Sequence, residues 1–240
     1  MENKKVLAFS GSIVLVAILI AIAILILRGG EVKETQPAES NEVAIRAVTE
    51  SDHILGNPDS DIILVEYADF ECPYCHEFHI TMRRIMEEFG KEGKIAWVYR
   101  HFPLRSLTNG PDDILESKPD IASECVASIG GEEKFWSFVE IMMLESPSPI
   151  TDEFLKQTVL DLGIPENDFN ICMVSGKFNA KIERDINDGL AIYEFDPDFG
   201  TPYNIIVTKT GIQMELSGSQ TYSDLKELII NITFPTELEV

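Results

Sequence analysis

The sequence predicts an α/β domain held outside a membrane by a single amino-terminal helix. Three observations carry this reading: an uncharged apolar run from Val6 to Leu27, a short apolar strand pattern at Ile62–Tyr67 that passes directly into a helix-period pattern, and a late hairpin signal set apart from the first strands by a helical block. Hydrophobic residues make up 45% of the 240-residue chain, enough for one domain with an ordinary core, and the sequence contains no internal repeat.

The run VLAFSGSIVLVAILIAIAILIL would extend roughly 33 Å as a helix, against a hydrocarbon core of about 30 Å, so residues 6–28 are read as a transmembrane anchor. A cleaved signal sequence fits less well, because its apolar stretch is about 7 to 15 residues long and ends in small residues. Lys4 and Lys5 precede the run and Glu31 and Glu34 follow Arg28, which puts residues 1–5 in the cytoplasm and the rest of the chain outside. Residues 29–50 are polar, acidic and free of aromatic residues, a composition that suits a flexible tether and leaves 51–240 as the folded domain. The tether has no room for a dimerisation domain, so a monomer is expected. Beyond Gly30 the chain holds 16 basic and 40 acidic residues, a net charge of −24 that repels nucleic acid and anionic lipid.

Within the domain, HILGNPDSD at residues 53–61 reads as a turn-rich lead-in to the strand Ile62–Tyr67. From Pro73 onward Phe78, Met82, Ile85, Met86 and Phe89 recur at three- and four-residue spacing, a helix that Gly90 stops. Ile95–Tyr99 forms a second strand, and the polar stretch Ser106–Lys118 reads as a surface loop. Residues from about 120 to 195 read as a run of short helices inserted between strands. The strands Tyr203–Thr208 and Ile212–Leu216 flank Lys209, Thr210 and Gly211 as a hairpin, and a helix at Ser223–Ile232 closes the domain.

Chemistry concentrates at Cys72-Pro73-Tyr74-Cys75. Two cysteines three residues apart on the first turn of a helix can close a small disulfide, and the free N–H groups and partial positive charge of the helix start lower the pKa of the leading thiol. Cys72 would then be the nucleophile and Cys75 the resolving thiol. Pro73 suits a position whose N–H would have no helical partner. Two other readings stay open. Cys125 and Cys172 could complete a zinc site with the pair, and His76 makes the string formally Cys-x-x-Cys-His, the attachment motif of c-type haem.

The stretch DHILGNPDSDIILVEYADFECPYCHEF resembles the opening of DsbA-like thioredoxin-fold proteins, the membrane-anchored bacterial disulfide oxidoreductases. The segments YRHFPL, ECVASIGGEEKFWSF, FNICMVSGKF and FGTPYNIIV resemble later landmarks of that family in the same order, while the extra loop at Ser106–Asp120 departs from it. The resemblance implies a thioredoxin-like fold with a helical insertion. It implies that Pro202, after Thr201, is a cis-proline whose loop presents backbone groups to a bound peptide beside the cysteines. It matches Glu66, six residues before Cys72, to a buried carboxylate that relays protons to the resolving cysteine, and it suggests a structural disulfide between Cys125 and Cys172. Tyr74 is expected to tune the redox potential. His76 either stabilises the Cys72 thiolate or lies in solvent. Phe70, Phe78, His79, Trp97, Trp136, Met142 and Met143 read as packing.

The activity implied is thiol-disulfide exchange that introduces disulfides into exported proteins with thiols. A membrane redox partner would reoxidise the pair, and no cofactor or metal is required. A reductase or isomerase on the same fold is the first alternative, and a non-catalytic tethered binding module or c-type haem carrier the second.

Overall fold

A computed structural model describes residues 45–104, 117–193 and 200–234. The expected anchor lies outside these residues, as does most of the Ser106–Lys118 loop. Among the described residues no helix is long and apolar enough to cross a membrane.

The strands are β1 (His53–Leu55), β2 (Ile62–Ala68), β3 (Ile95–His101), β4 (Tyr203–Thr208) and β5 (Gln213–Ser217). They form one sheet in the order β1-β3-β2-β4-β5, in which β2 and β3 run parallel and the other neighbours antiparallel. Helix α1 (Pro73–Ile85), continued by a π-helical turn at Met86–Gly90, makes the crossover between β2 and β3. The helical block consists of α2 (Lys118–Gly130), α3 (Glu132–Glu145), α4 (Asp152–Asp161), α5 (Glu166–Met173) and α6 (Asn179–Tyr193), and α7 (Tyr222–Thr233) ends the fold. Gly211 takes φ +82° in the turn between β4 and β5, a conformation that costs glycine little.

Side chains alternate across a strand, and this decides which face each residue serves. Ile62, Leu64 and Ala68 of β2 join Trp97 and Tyr99 of β3 in the larger core, packed against α1 to α5 and α7. Val65, Tyr67 and Val98 face the other way, into a smaller core with Ile45, Tyr203 and Ile205. Glu66 therefore shares the face that carries α1 and the cysteines.

Two expectations are corrected. Residues 53–55 are not part of the lead-in turn but a strand, with His53 paired to Tyr99 and Leu55 to Trp97. Three residues are too few to show a period, so the pairing is visible only once β3 is in place. Residues 45–50, expected to lie in the tether, are part of the folded domain, with Ile45 7% exposed. The Arg46 backbone N–H donates to Asp188 Oδ1 at 3.0 Å, and its guanidinium reaches Asp52 and Asp185 at 2.6 Å each. Arg100 of β3 adds bonds to Asp52 at 3.1 Å and Asp188 at 2.8 Å. This ionic cluster ties the entering chain to β3 and α6. A second one docks α2: His101 lies between Asp120 and Glu124 at 2.9 Å each, and Glu124 also meets His53 and Lys181. Burial alone would push the His101 imidazole down, but the two carboxylates raise it to about 9.

Candidate active site

The β2 strand runs out at Ala68, and the chain turns through Asp69 and Phe70 to start α1. Cys72 is the residue that precedes the first helical turn, with extended φ and ψ of −87° and 119°, and Pro73 opens the helix. The turn is fixed by Cys72 N–H donating to the Asp69 carbonyl at 3.1 Å and Glu71 N–H donating to Asp69 Oδ1 at 2.8 Å. Cys72 is half-buried, whereas Cys75 is 0% exposed. Both are free thiols.

The Thr201–Pro202 peptide is cis and lies against the pair. As a thiol, Cys72 donates to the Thr201 carbonyl at 3.1 Å. As a thiolate it is favoured first by the Cys75 thiol, and then by the Thr201 side chain and the N–H groups of Cys75 and Tyr74. Against some opposition from burial, these donors hold Cys72 down at about 5. Burial drives Cys75 the opposite way, well above the ordinary thiol range, and the neighbouring Cys72 and Glu66 add to the shift.

Glu66 sits within the electrostatic reach of both thiols. Burial raises its carboxyl to about 8, although the Trp97 indole N–H, which donates to Oε2 at 2.8 Å, pulls the other way. Oε1 has no hydrogen-bond partner among the described residues. The site thus places a neutral acid behind a neutral thiol and a thiolate in front of them.

The remaining expected residues are placed as follows. Tyr74 is 62% exposed and borders a groove of about 670 Å³ with Gly200, Thr201 and the Ser217–Tyr222 segment. His76 turns back toward the strand end, where its Nε2–H donates to the Phe70 carbonyl at 2.7 Å, so the ring braces the turn. Phe70 and Phe78 are core residues. Cys125 and Cys172 form a disulfide that joins α2 to α5, with Cα atoms 5.8 Å apart. Its sulfurs are therefore committed to each other, and the zinc reading loses two of its four ligands. The buried side chain of Cys75 likewise leaves the haem reading without an accessible second thiol.

Trp97, which the sequence places in the packing, also donates to Glu66, a contact no local pattern foretells. Glu71 is another such residue: its carboxylate accepts the Ile150 N–H at 3.0 Å and fastens the Ser146–Ile150 segment beside the motif. The register that pairs Leu64 with Trp97 and Glu66 with Tyr99 was the signal needed for Trp97, and no local pattern carries it.

A half-buried helix-start thiol paired with a buried one and lined by a cis-proline loop, on a central sheet flanked by helices, defines a thioredoxin-fold dithiol protein. The chain belongs to the thioredoxin family, whose model, described as Thioredoxin, matches residues 48–229. Among solved structures it resembles alpha-DsbA1 of Wolbachia pipientis, with a TM-score of 0.64 and 24% identity over 80% of this chain and 95% of that one. It also resembles oxidised BdbD of Bacillus subtilis, with a TM-score of 0.59 and 19% identity over 75% and 92% of the two chains. At these identities the likeness concerns the fold. Curated relatives include the Na(+)/H(+) antiporter NhaA 1 of Mycolicibacterium gilvum, 28% identical over 60% of this chain and 22% of the antiporter. A Rickettsia prowazekii protein that carries a protein-disulfide oxidoreductase name is 25% identical over 58% of this chain and 49% of its own length. The chain thus matches less than half the length of either relative.

Proposed function

We propose that this protein is a membrane-anchored, extracytoplasmic thiol-disulfide oxidoreductase that introduces disulfides into exported proteins through Cys72 and Cys75. The observation that carries the reading is the division between the two thiols: Cys72 is half-buried at the helix start beside the Thr201 carbonyl, where donors lower its pKa, while Cys75 is fully buried, which raises its own. Stabilising the thiolate stabilises the reduced pair, and a dithiol whose reduced form is favoured is an oxidant. At neutral pH, a thiol pKa near 5 in place of 9 favours the reduced state over the disulfide.

The reaction begins with the oxidised pair. A substrate thiolate attacks Cys72 Sγ, a substrate–Cys72 disulfide forms, and Cys75 leaves as a thiolate. Glu66, neutral up to about pH 8, donates its proton to Cys75. A second substrate thiolate then attacks the substrate sulfur of the mixed disulfide and expels the Cys72 thiolate. The substrate has lost two electrons and the enzyme has gained them. The Thr201–Pro202 loop supplies the wall against which an extended substrate segment lies. A membrane redox partner takes the two electrons from the Cys72/Cys75 dithiol and restores its disulfide.

The extracytoplasmic location is supported by the apolar run at Val6–Leu27, by the lysines that precede it, and by a Cys125–Cys172 disulfide of the kind that persists in oxidising compartments. The test is the reduction potential of the Cys72/Cys75 pair in the full chain, by equilibration with glutathione and thiol trapping. A value near about −120 mV supports an oxidase, and one near about −270 mV means a reductase. A pair that never exchanges with glutathione leaves a non-catalytic tethered module.

A further inference from the structure

We propose that Asn204 is a positioning residue for Glu66: its side-chain oxygen accepts the hydrogen bond of the Glu66 carboxyl hydroxyl, and its amide nitrogen ties that pair to the loop against which substrate lies. The inference deepens the proposed reaction and rests on it only for the destination of the proton, Cys75.

Strand register brings the two residues together. β2 and β4 pair antiparallel with Glu66 opposite Asn204, which puts their Cβ atoms about 4.5 to 5.5 Å apart on one face of the sheet. That face is the one α1 covers, since Ile206 joins the larger core while Tyr203 and Ile205 join the smaller. Glu66 is 1% exposed and Asn204 0%. Glu66 Oε2 accepts the Trp97 indole N–H from β3, on the side of β2 away from β4. Asn204 Nδ2 donates to the Leu216 carbonyl of β5 at 3.3 Å and to the Gly218 carbonyl at 3.2 Å, on the side of β4 away from β2. Those two carbonyls fix which end of the amide is nitrogen. The remaining oxygens, Glu66 Oε1 and Asn204 Oδ1, are left toward each other between β2 and β4. Both are buried, and neither has a hydrogen-bond partner among the described residues.

Two oxygens satisfy each other only when one of them carries a proton. Burial keeps the Glu66 carboxyl neutral up to about pH 8, and a neutral carboxyl has one hydroxyl and one carbonyl oxygen. The Trp97 N–H requires the carbonyl, so Oε2 is the carbonyl and Oε1 the hydroxyl, a donor in need of an acceptor. An amide oxygen only accepts. One proton on Oε1 therefore pairs both orphaned atoms, as buried polar groups are paired in the great majority of cases. The titratable groups that face Glu66 are Cys72 and Cys75 from α1 and Tyr99 from β3. When Cys75 leaves the disulfide as a thiolate, the Oε1–H bond breaks, an S–H bond forms at Cys75, and Glu66 is left as a carboxylate facing Oδ1. The Asn204 amide cannot turn to donate to that carboxylate without releasing the Leu216 and Gly218 carbonyls. Gly218 N–H in turn donates to the Pro202 carbonyl at 3.0 Å, so the residue that holds the proton in place also braces the cis-proline loop.

The test is an infrared titration of the reduced full chain in detergent, with the Glu66 carboxyl band identified by its loss in Glu66→Gln. In Asn204→Leu the band should move to higher wavenumber, as for a hydroxyl that no longer donates. Its midpoint should fall below about 8, with an acid dissociation constant roughly fivefold larger, as loss of one hydrogen bond to the neutral form predicts. A residue that only braces the turn at Gly218 would leave both band and midpoint where they are, and that result overturns the proposal. If Asn204→Leu does not fold, nuclear magnetic resonance of the wild type decides: the Asn204 side-chain amide should titrate with the midpoint of Glu66 and stay flat in Glu66→Gln. An amide that ignores Glu66 overturns the proposal equally. Neither readout involves disulfide exchange. Should the Cys72/Cys75 pair never exchange with glutathione, a shifted band would still establish the Glu66–Asn204 bond, and only the delivery of its proton to Cys75 would fall.

Discussion

Replacing Glu66 with glutamine is expected to stabilise the reduced protein, by an amount that grows with pH. The carboxyl is fully buried, and burial raises its pKa from the ordinary 4.5 to about 8. A group whose pKa is raised by folding contributes stability that is complete below the unfolded value and is lost as pH rises through the folded one. Wild-type protein should therefore lose about 1.4 kcal/mol per pH unit between 4.5 and 8 through this residue, or about 3 kcal/mol by pH 7. Glutamine has nearly the same shape, keeps an acceptor for the Trp97 N–H, and does not titrate. Guanidinium unfolding of the reduced full chain, wild type and Glu66→Gln side by side, should give curves that meet near pH 4.5 and separate steadily up to pH 8. A constant offset across that range would show that Glu66 does not change ionisation there. Glu66 would then hold no proton at neutral pH to give to Cys75.

Other perturbations probe the same forces. The pH profile of alkylation of the reduced protein should show one thiol, Cys72, ionising near 5, and Cys72→Ser should remove that step; a midpoint near 9 would contradict the donor arrangement at the helix start. Trp97→Phe removes the hydrogen bond from Trp97 that favours the Glu66 carboxylate, so the carboxyl band followed by infrared titration should move above the wild-type midpoint of about 8. Asp52→Asn strips a buried partner from Arg46 and Arg100 and should cost about 3 to 5 kcal/mol in unfolding experiments at neutral pH. Because the Arg46 and Arg100 hydrogen bonds overcome burial and hold Asp52 down at about 2, its contribution is full above pH 3.8 and disappears as pH falls through 2. Converting both Cys125 and Cys172 to alanine opens a 47-residue loop and should lower stability by about 4 kcal/mol, read by denaturation under non-reducing conditions.

Legibility in the sequence followed the length of the pattern. The helix from Pro73 declared itself because five apolar residues recur with its period, and the hairpin because Lys209-Thr210-Gly211 separates two strand-like runs. β1 has three residues and exists because β3 offers it an edge, so nothing local announces it. The docking of Arg46 depends on Asp185 and Asp188, 139 and 142 residues away, and a polar, acidic string reads as tether until those partners are in place. Within the site, the positions of Cys72, Cys75 and Glu66 could be read from the string, but what surrounds them could not. Trp97 meets Glu66 through strand register, and His76 meets the Phe70 carbonyl through a turn whose path is set by the sheet. Orientation belongs to tertiary structure, and so do the pKa shifts that depend on it.

The asymmetry between the thiols comes from one helical step combined with one strand alternation. Three residues along an α-helix rotate a side chain by about 300° and raise it by about 4.5 Å. From the start of α1 that step carries the second sulfur from the open N–H groups, where Cys72 lies beside Thr201, into the space beneath the helix, where Cys75 is fully buried. In β2, alternation sends Val65 and Tyr67 to the far core and leaves Glu66 on the face where Cys75 arrives. The charged form of sulfur is favoured at the first position and the neutral form at the second, so a disulfide between them opens preferentially in one sense: an incoming thiolate reaches Cys72, and the departing Cys75 finds a proton. Exchanging the burial of the two sulfurs would remove that order even with the Cys-Pro-Tyr-Cys string intact.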